Sequence, residues 1–172
     1  MRLLEDITLT DSVEIQTAPE KVFDFFLHLV DDASYRTWHP DDHMSLRWVK
    51  GSPWKEGSIV YAEEYFHGKL HKLKFLISKV VANREIEYIP ASRLLRIYFP
   101  KNRFVIEPSG NGCIFTAEVH LRVGRLVKTL AKHKLETGLL FVRKHMKEEG
   151  ENLKRILEKE NNTNSKDYDS TS

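Results

Sequence analysis

The chain carries a single cysteine, Cys113, among its 172 residues. That excludes an internal disulfide and any structural zinc site built on several thiolates, and a reducing, cytoplasmic setting is the simplest fit. No run approaches the roughly 20 apolar residues of a membrane span, and the opening MRLLEDITLT lacks the apolar core of an export signal. Neither sign of charge dominates. Lys+Arg number 27 against 25 Asp+Glu, a formal net charge of +2, too weak a field to call for nucleic acid. No nucleic-acid partner and no membrane partner is expected. What remains, 41% hydrophobic and 30% charged, is the ordinary mix of a soluble globule of one-domain size.

Residues 7–15, ITLTDSVEI, alternate in polarity as a strand does. Thr17-Ala-Pro-Glu20 has the spacing of a capping box and opens an apolar-faced helix through Val22, Phe23, Phe25, Phe26 and Leu29. A polar turn, a short strand (MSLRWVK) and a Gly/Pro loop follow. From Ser58 to Val123 the pattern is strand after strand, punctuated by HGK, ANR, PAS and PSGNG. After Gly124 the period turns helical and stays so to about Glu160. The tail 161–172, NNTNSKDYDSTS, lacks aliphatic residues and reads as disordered.

Strand, one or two short helices, a run of antiparallel strands and a long final helix predict an α+β domain over 1–160. This order resembles the START/Bet v 1-like superfamily, the helix-grip fold, which includes polyketide cyclases and lipid-transfer proteins. The resemblance covers residues 5–160. It implies a curved antiparallel sheet of six to seven strands wrapped around the long C-terminal helix, with a central cavity between them.

Polar residues that point into such a cavity are the ones to find. Pairing 58–66 with 71–79 about a Gly68-Lys69 turn sets Glu64 opposite Leu73, on a face with Val60, Ala62, Phe75 and Ile77. Glu63 falls on the other face, opposite Lys74, and a one-residue slip would exchange the two glutamates. An inward carboxylate among apolar neighbours needs a cation, a proton or strong donors. On the closing helix the apolar stripe Leu130, Thr137/Gly138, Phe141, Leu153, Ile156 is interrupted by His145 and Glu149, one turn apart, with Glu148 beside them. The stretch YRTWHPDDH, residues 35–43, adds His39 and His43. Imidazoles and carboxylates drawn from three regions make a donor set for zinc, or for another divalent metal such as iron or manganese.

These pieces together resemble the diacetylphloroglucinol hydrolase and phloretin hydrolase family, zinc enzymes on a Bet v 1-like core. Those enzymes cleave the carbon–carbon bond between an acyl group and a phenolic ring. The resemblance implies His43, Glu64, His145 and Glu149 as zinc ligands, in that chain order. It implies Tyr35, eight residues before His43, as a substrate contact. It also implies a further histidine and a second tyrosine, for which His71, His120, Tyr88 and Tyr98 are the candidates. His71 is favoured as acid/base because the hairpin register points it inward. His39 stands as an alternative ligand to His43, or as a catalytic or ligand-orienting neighbour. Asp41 and Asp42 read as turn and cap residues, with acceptors behind a metal ligand as the lesser alternative, and Trp38, Trp48 and Trp54 as packing. The basic residues from Arg122 to Lys147 read as the solvated face of the helix.

The expected function is zinc-dependent hydrolysis of an acylated phenolic or polyketide-like small molecule. Two alternatives stay open: a non-catalytic carrier of a hydrophobic or aromatic small molecule, and a metal-free cyclase or dehydratase. A homodimer is left open as well.

Overall fold

Seven strands pair antiparallel in one curved sheet, in the order β1-β7-β6-β5-β4-β3-β2. The computed structural model describes residues 4–66 and 68–169, with the side chains at 126, 127 and 160–169 outside the described set. β1 (Leu4–Ile15) runs beside the last strand, β7 (Gly112–Gly124), with Leu4 opposite Gly124 and Ile15 opposite Cys113. Between them in the chain come α1 (Pro19–Leu27), α2 (Asp32–Trp38), β2 (His43–Lys50), β3 (Ile59–Phe66), β4 (Lys69–Val81), β5 (Glu85–Pro90), α3 (Leu95–Tyr98) and β6 (Lys101–Ser109). A short helix, α4 (Arg125–Leu130), leads into the long α5 (Lys132–Asp169). The backbone of α5 thus enters the segment read as a disordered tail, and residues 170–172 lie outside the described residues.

Helix starts depart from the sequence expectation in one place. α1 begins with Pro19 in its first turn and Ala18 as N-cap, with no side-chain cap. Thr17 is buried, and its N–H bonds to Ile15 O at 2.9 Å. The fixed φ of proline pre-forms the first turn, so the expected Thr17 box is not used. A capping box does open α2: Asp31 Oδ1 accepts from Ser34 N at 2.8 Å, and Ser34 Oγ accepts from Asp31 N at 3.1 Å.

The β3–β4 pairing is shifted by two residues from the expected register. Phe66 pairs with Lys69 and Glu64 with His71, so the turn spans 67–68, with Gly68 at φ +69°, a left-handed conformation glycine adopts freely. A two-residue slip preserves the faces, because side chains alternate with period two. Glu64 therefore stays inward with Val60 and Ala62, all buried. Glu63 stays outward, 3.7 Å from Lys72. The β6–β7 hairpin closes at SGNG as expected, pairing Ser109 with Gly112. Between β5 and β6, inside the stretch read as strand after strand, one turn of helix forms instead.

α5 packs on β1 and β7 and reaches α1 and α2. Its stripe is buried from His145 through Met146, Glu149, Leu153 and Leu157. Gly150 lets it approach β1 closely, since a Cβ there would meet Val13 Cγ1 at 3.3 Å. Leu130, expected to begin the stripe, sits on α4 and is exposed. Beneath α1, Phe26 is fully buried and stacks on Phe104 at 4.9 Å and Phe115 at 5.6 Å, with Trp38 and Trp54 edge-on. Burying one such ring stabilises the fold by about 1.5–3 kcal/mol. This aromatic plug fills the space next to α1, and Trp38 also borders the polar cluster, edge-on to His43 at 5.2 Å. No described helix is long and apolar enough to cross a membrane.

Candidate functional site

α2 turns Tyr35 and Trp38 toward the interior, and a single tight turn then carries the chain into β2. In that turn His43 N bonds to His39 O at 2.9 Å. Tyr35, His39 and His43 are buried there, and so are Glu64 from β3 and His145 and Glu149 from α5. Six of the seven expected site residues meet in one place. His71 does not join them. It stands across from Glu64 but is exposed, because every residue at the start of β4, 69–72, lacks a covering element. Its ring meets Phe66 edge-on at 5.6 Å. His120 lies elsewhere, bonded to Thr8 and Glu118. Tyr98 is exposed on α3.

Two tethers aim the inner imidazoles. His43 Nδ1 lies 3.2 Å from Tyr35 O; a carbonyl only accepts, so Nδ1 carries the hydrogen. His43 Nε2 then faces Glu149 Oε1 at 3.1 Å. His145 Nδ1 lies 3.1 Å from Asp42 Oδ2, and its Nε2 stands 3.5 Å from the same Glu149 oxygen. Trp38 Nε1 donates to Glu149 O at 3.0 Å and fixes that turn of α5. Tyr35 stacks flat on His43 at 3.9 Å, and its hydroxyl donates to Glu64 Oε1. Both Nε2 atoms thus converge on one carboxylate, with a second carboxylate alongside.

Burial acts to lower the His145 pKa, but the Glu149 charge and hydrogen bond, the Glu64 charge and the Asp42 hydrogen bond together push it up to about 9. Burial acts to raise Glu149, and the His145 charge and hydrogen bond followed by those of His43 bring it down to about 2. Burial, then the neighbouring Glu64, hold the Tyr35 phenol well above its usual range. Tyr88 is raised well above it too, by burial and then by the charges of Glu149 and Glu64. Tyr88, on β5, pairs with the buried Ile77 and packs its ring on Phe104 at 5.2 Å.

His39 remains beside the pair rather than in it. Its ring stacks on His145 at 5.0 Å. Its Nδ1 accepts from Asp42 N at 3.3 Å, while Nε2 is buried without a hydrogen-bond partner among the described residues. Two triads therefore offer donor atoms within 4.8 Å of one another: His43/His145/Glu149 and His39/Asp42/His145. The inner triad fits a divalent metal better. Its Nε2–Oε1 separations match the edge of a tetrahedron with metal bonds of about 2.0–2.1 Å, which is about 3.3 Å. Both of its histidines have Nδ1 tethered, as ligating histidines do. Glu64, which accepts from the Tyr35 hydroxyl, belongs to neither group of mutually close donors. A pocket of about 330 Å³ opens onto the cluster between Asp42, Tyr65, Phe66, Phe141, His145 and Glu148.

Asp42 read foremost as a turn residue; the structure gives it the lesser role, an acceptor for His145 Nδ1 from 103 residues away in the chain. Trp38, read as packing, packs as expected and also anchors Glu149 through its N–H.

No family model matches this chain, and no curated protein matches it. Solved structures do. Norcoclaurine synthase from Thalictrum flavum, solved as a point mutant with a transition-state analogue, is 11% identical at a TM-score of 0.66, over 94% of this chain and 99% of that one. A polyketide cyclase-like protein from Corynebacterium glutamicum is 16% identical at 0.60, over 91% and 94%. The major latex-like protein 151 of Panax ginseng is 13% identical at 0.57, over 82% and 97%. At such identities the likeness concerns the fold alone. The seven-stranded antiparallel sheet gripping a long C-terminal helix is the Bet v 1-like, helix-grip fold.

Proposed function

We propose that the chain is a divalent-metal-dependent hydrolase, with zinc as the metal, acting on an acylated phenolic or polyketide-like small molecule. One observation carries the reading. His43 Nε2, His145 Nε2 and Glu149 Oε1 converge in a buried site, each imidazole tethered at Nδ1. The same residues in the same chain order underlie the likeness to the diacetylphloroglucinol and phloretin hydrolases. A zinc ion held by His43, Glu64, His145 and Glu149 supplies Lewis acidity toward an acyl carbonyl and toward water.

The chain's own groups orient and protonate. Tyr35 and Tyr88 keep their phenol protons at neutral pH; Tyr88 can donate to a ring or carbonyl oxygen, and Tyr35 can do so once a cation takes over Glu64. Phe66 and Phe141, at the pocket mouth, offer apolar walls to an aromatic ring. Water adds to the acyl carbon, the ring carbon takes a proton as the bond between them breaks, and a carboxylic acid and a phenol leave. The test is turnover of acylphloroglucinols and related β-diketone-like compounds by zinc-loaded protein. Hydrolysis by the wild type and its loss in Glu149→Gln supports the reading; activity unchanged in Glu149→Gln overturns it.

A second reading has an observation of its own. His145 and Glu149 already neutralise one another without a cation, and Tyr35 already satisfies Glu64. The same cavity then serves a carrier of hydrophobic small molecules, or a metal-free cyclase using histidine and tyrosine as acid and base. Ligand binding or turnover that survives exhaustive chelation favours this reading over the first.

A further inference from the structure

The chain between β5 and β6 exposes apolar surface that neither the core nor the site accounts for. Leu94, Leu95, Ile97, Tyr98 and Phe99 are between 40% and 67% exposed. Within one helical turn, consecutive side chains point in all directions, so no face of α3 is buried beneath its own apolar residues. α3 is a projecting tip rather than a groove. Its base is anchored: Arg96 Nε donates to Pro90 O at 2.7 Å and Nη2 to Ala91 O at 3.3 Å, and the turn packs on β5 and β7. An ordered, anchored tip that keeps five large apolar groups in water needs something to cover them.

Charge narrows the choice of cover. No acidic residue occurs between Glu87 and Glu107. Arg93 and Arg96 flank the apolar residues, and neither pairs with a carboxylate among the described residues. The basic side chains from Arg122 onward differ, since Arg122 pairs with Asp6, and Arg125 and Lys128 with Glu5; these keep the solvated reading. A second copy of the chain fits poorly, because a two-fold contact sets each Arg93 and Arg96 near its own counterpart with no local acid to compensate. A peptide ordinarily needs a groove or a free sheet edge. An apolar tip with aromatic residues and flanking arginines matches the requirements of an anionic lipid surface.

We infer that α3 and its flanks, residues 93–99, dock this protein on anionic lipid bilayers. The chain expectation of no membrane partner rested on the absence of a spanning segment and on the basic residues of α5; an interfacial tip needs neither. The position has a consequence for the site. β5 leaves the sheet at Pro90, opposite Phe75, heading toward the end of β4 where His71 faces Glu64. The docked tip therefore lies at the end of the sheet that carries the cluster.

Co-sedimentation with vesicles tests this, using phosphatidylcholine alone and phosphatidylcholine mixed with phosphatidylglycerol. Expected is binding to the anionic vesicles at least about tenfold tighter than to the neutral ones, weakening as salt is raised. Leu94→Ser/Ile97→Ser is expected to lose at least about tenfold of that affinity, and Arg93→Glu to lose it on anionic vesicles alone. All three side chains are exposed, so an unchanged circular dichroism melt verifies that the variants fold. Absence of vesicle binding, equal binding to both compositions, or full binding by the double variant overturns the inference. So does a dimer in light scattering that the double variant abolishes, which makes the tip a contact between copies.

Discussion

Tyr35→Phe isolates the hydrogen bond that ties α2 to β3. Tyr35 and Glu64 are both buried, and the phenol donates to the Glu64 carboxylate. Phenylalanine keeps the ring, and with it the 3.9 Å stack on His43, so the substitution removes the donor and little else. A hydrogen bond to a charged group is worth about 1.5–3 kcal/mol net, and a buried acceptor deprived of its donor costs a similar amount. For a chain of 172 residues each kcal/mol shifts the melting temperature by about 2–4 °C, so a fall of about 3–12 °C is expected. Differential scanning calorimetry with a chelator present measures it. Repeating the scan with saturating zinc is expected to show a smaller fall, because Glu64 then has a cation to face. A melting temperature within about 1 °C of wild type in chelator would falsify the bond. An equal fall with and without zinc would remove Glu64 from the ligand set.

Three further outcomes follow from the same contacts. Glu64→Gln is expected to weaken zinc binding by at least about tenfold, whereas Glu63→Gln, whose carboxylate serves Tyr61 and Lys72, leaves it unchanged; isothermal titration decides, and the reverse pattern would mean β3 faces the other way. Asp42→Asn, which weakens the acceptor for His145 Nδ1, is expected to reduce zinc affinity by about 10–100-fold, and a wild-type affinity would leave Asp42 as a turn residue only. On the sheet, the Arg103 hydrogen bond holds the Glu118 carboxyl below its usual 4.5, against the effect of burial. A depressed carboxyl stabilises the fold above pH 4.5 and loses that stability as pH falls through the lower folded value. Urea unfolding is therefore expected to show Arg103→Met less stable than wild type at pH 7, with the gap closing below pH 4.5; a gap that widens in acid contradicts the pairing.

The fold was legible because its periodicities are clean. Strands β3 to β7 alternate strictly enough that a two-residue error at the 67–68 turn still put Glu64 inward. The long helix announced itself by a period of 3.6 and by His145 and Glu149 one turn apart. α3 was missed because LLRIYF between Arg93 and Pro100 has the look of a strand; what prevents pairing is the short β5, which ends at Pro90, where the missing N–H breaks the ladder. In the site, residues were legible where the chemistry is unusual for the position: a carboxylate among aliphatics, a histidine on an apolar stripe. Asp42 was legible only as a lesser reading, since an aspartate just before a strand suits a turn whatever it contacts. His71 failed for a different reason. Strand parity gives the face of a side chain but not whether anything covers that face, and 69–72 are exposed among the described residues.

Zinc content of the purified protein, measured by elemental analysis after growth with zinc and dialysis against metal-free buffer, bears most directly on the cluster. About one ion per chain is expected in the wild type, falling sharply in His145→Ala and in Glu149→Gln. Less than about a tenth of an ion per chain in the wild type, with none regained on adding zinc, contradicts the metal centre.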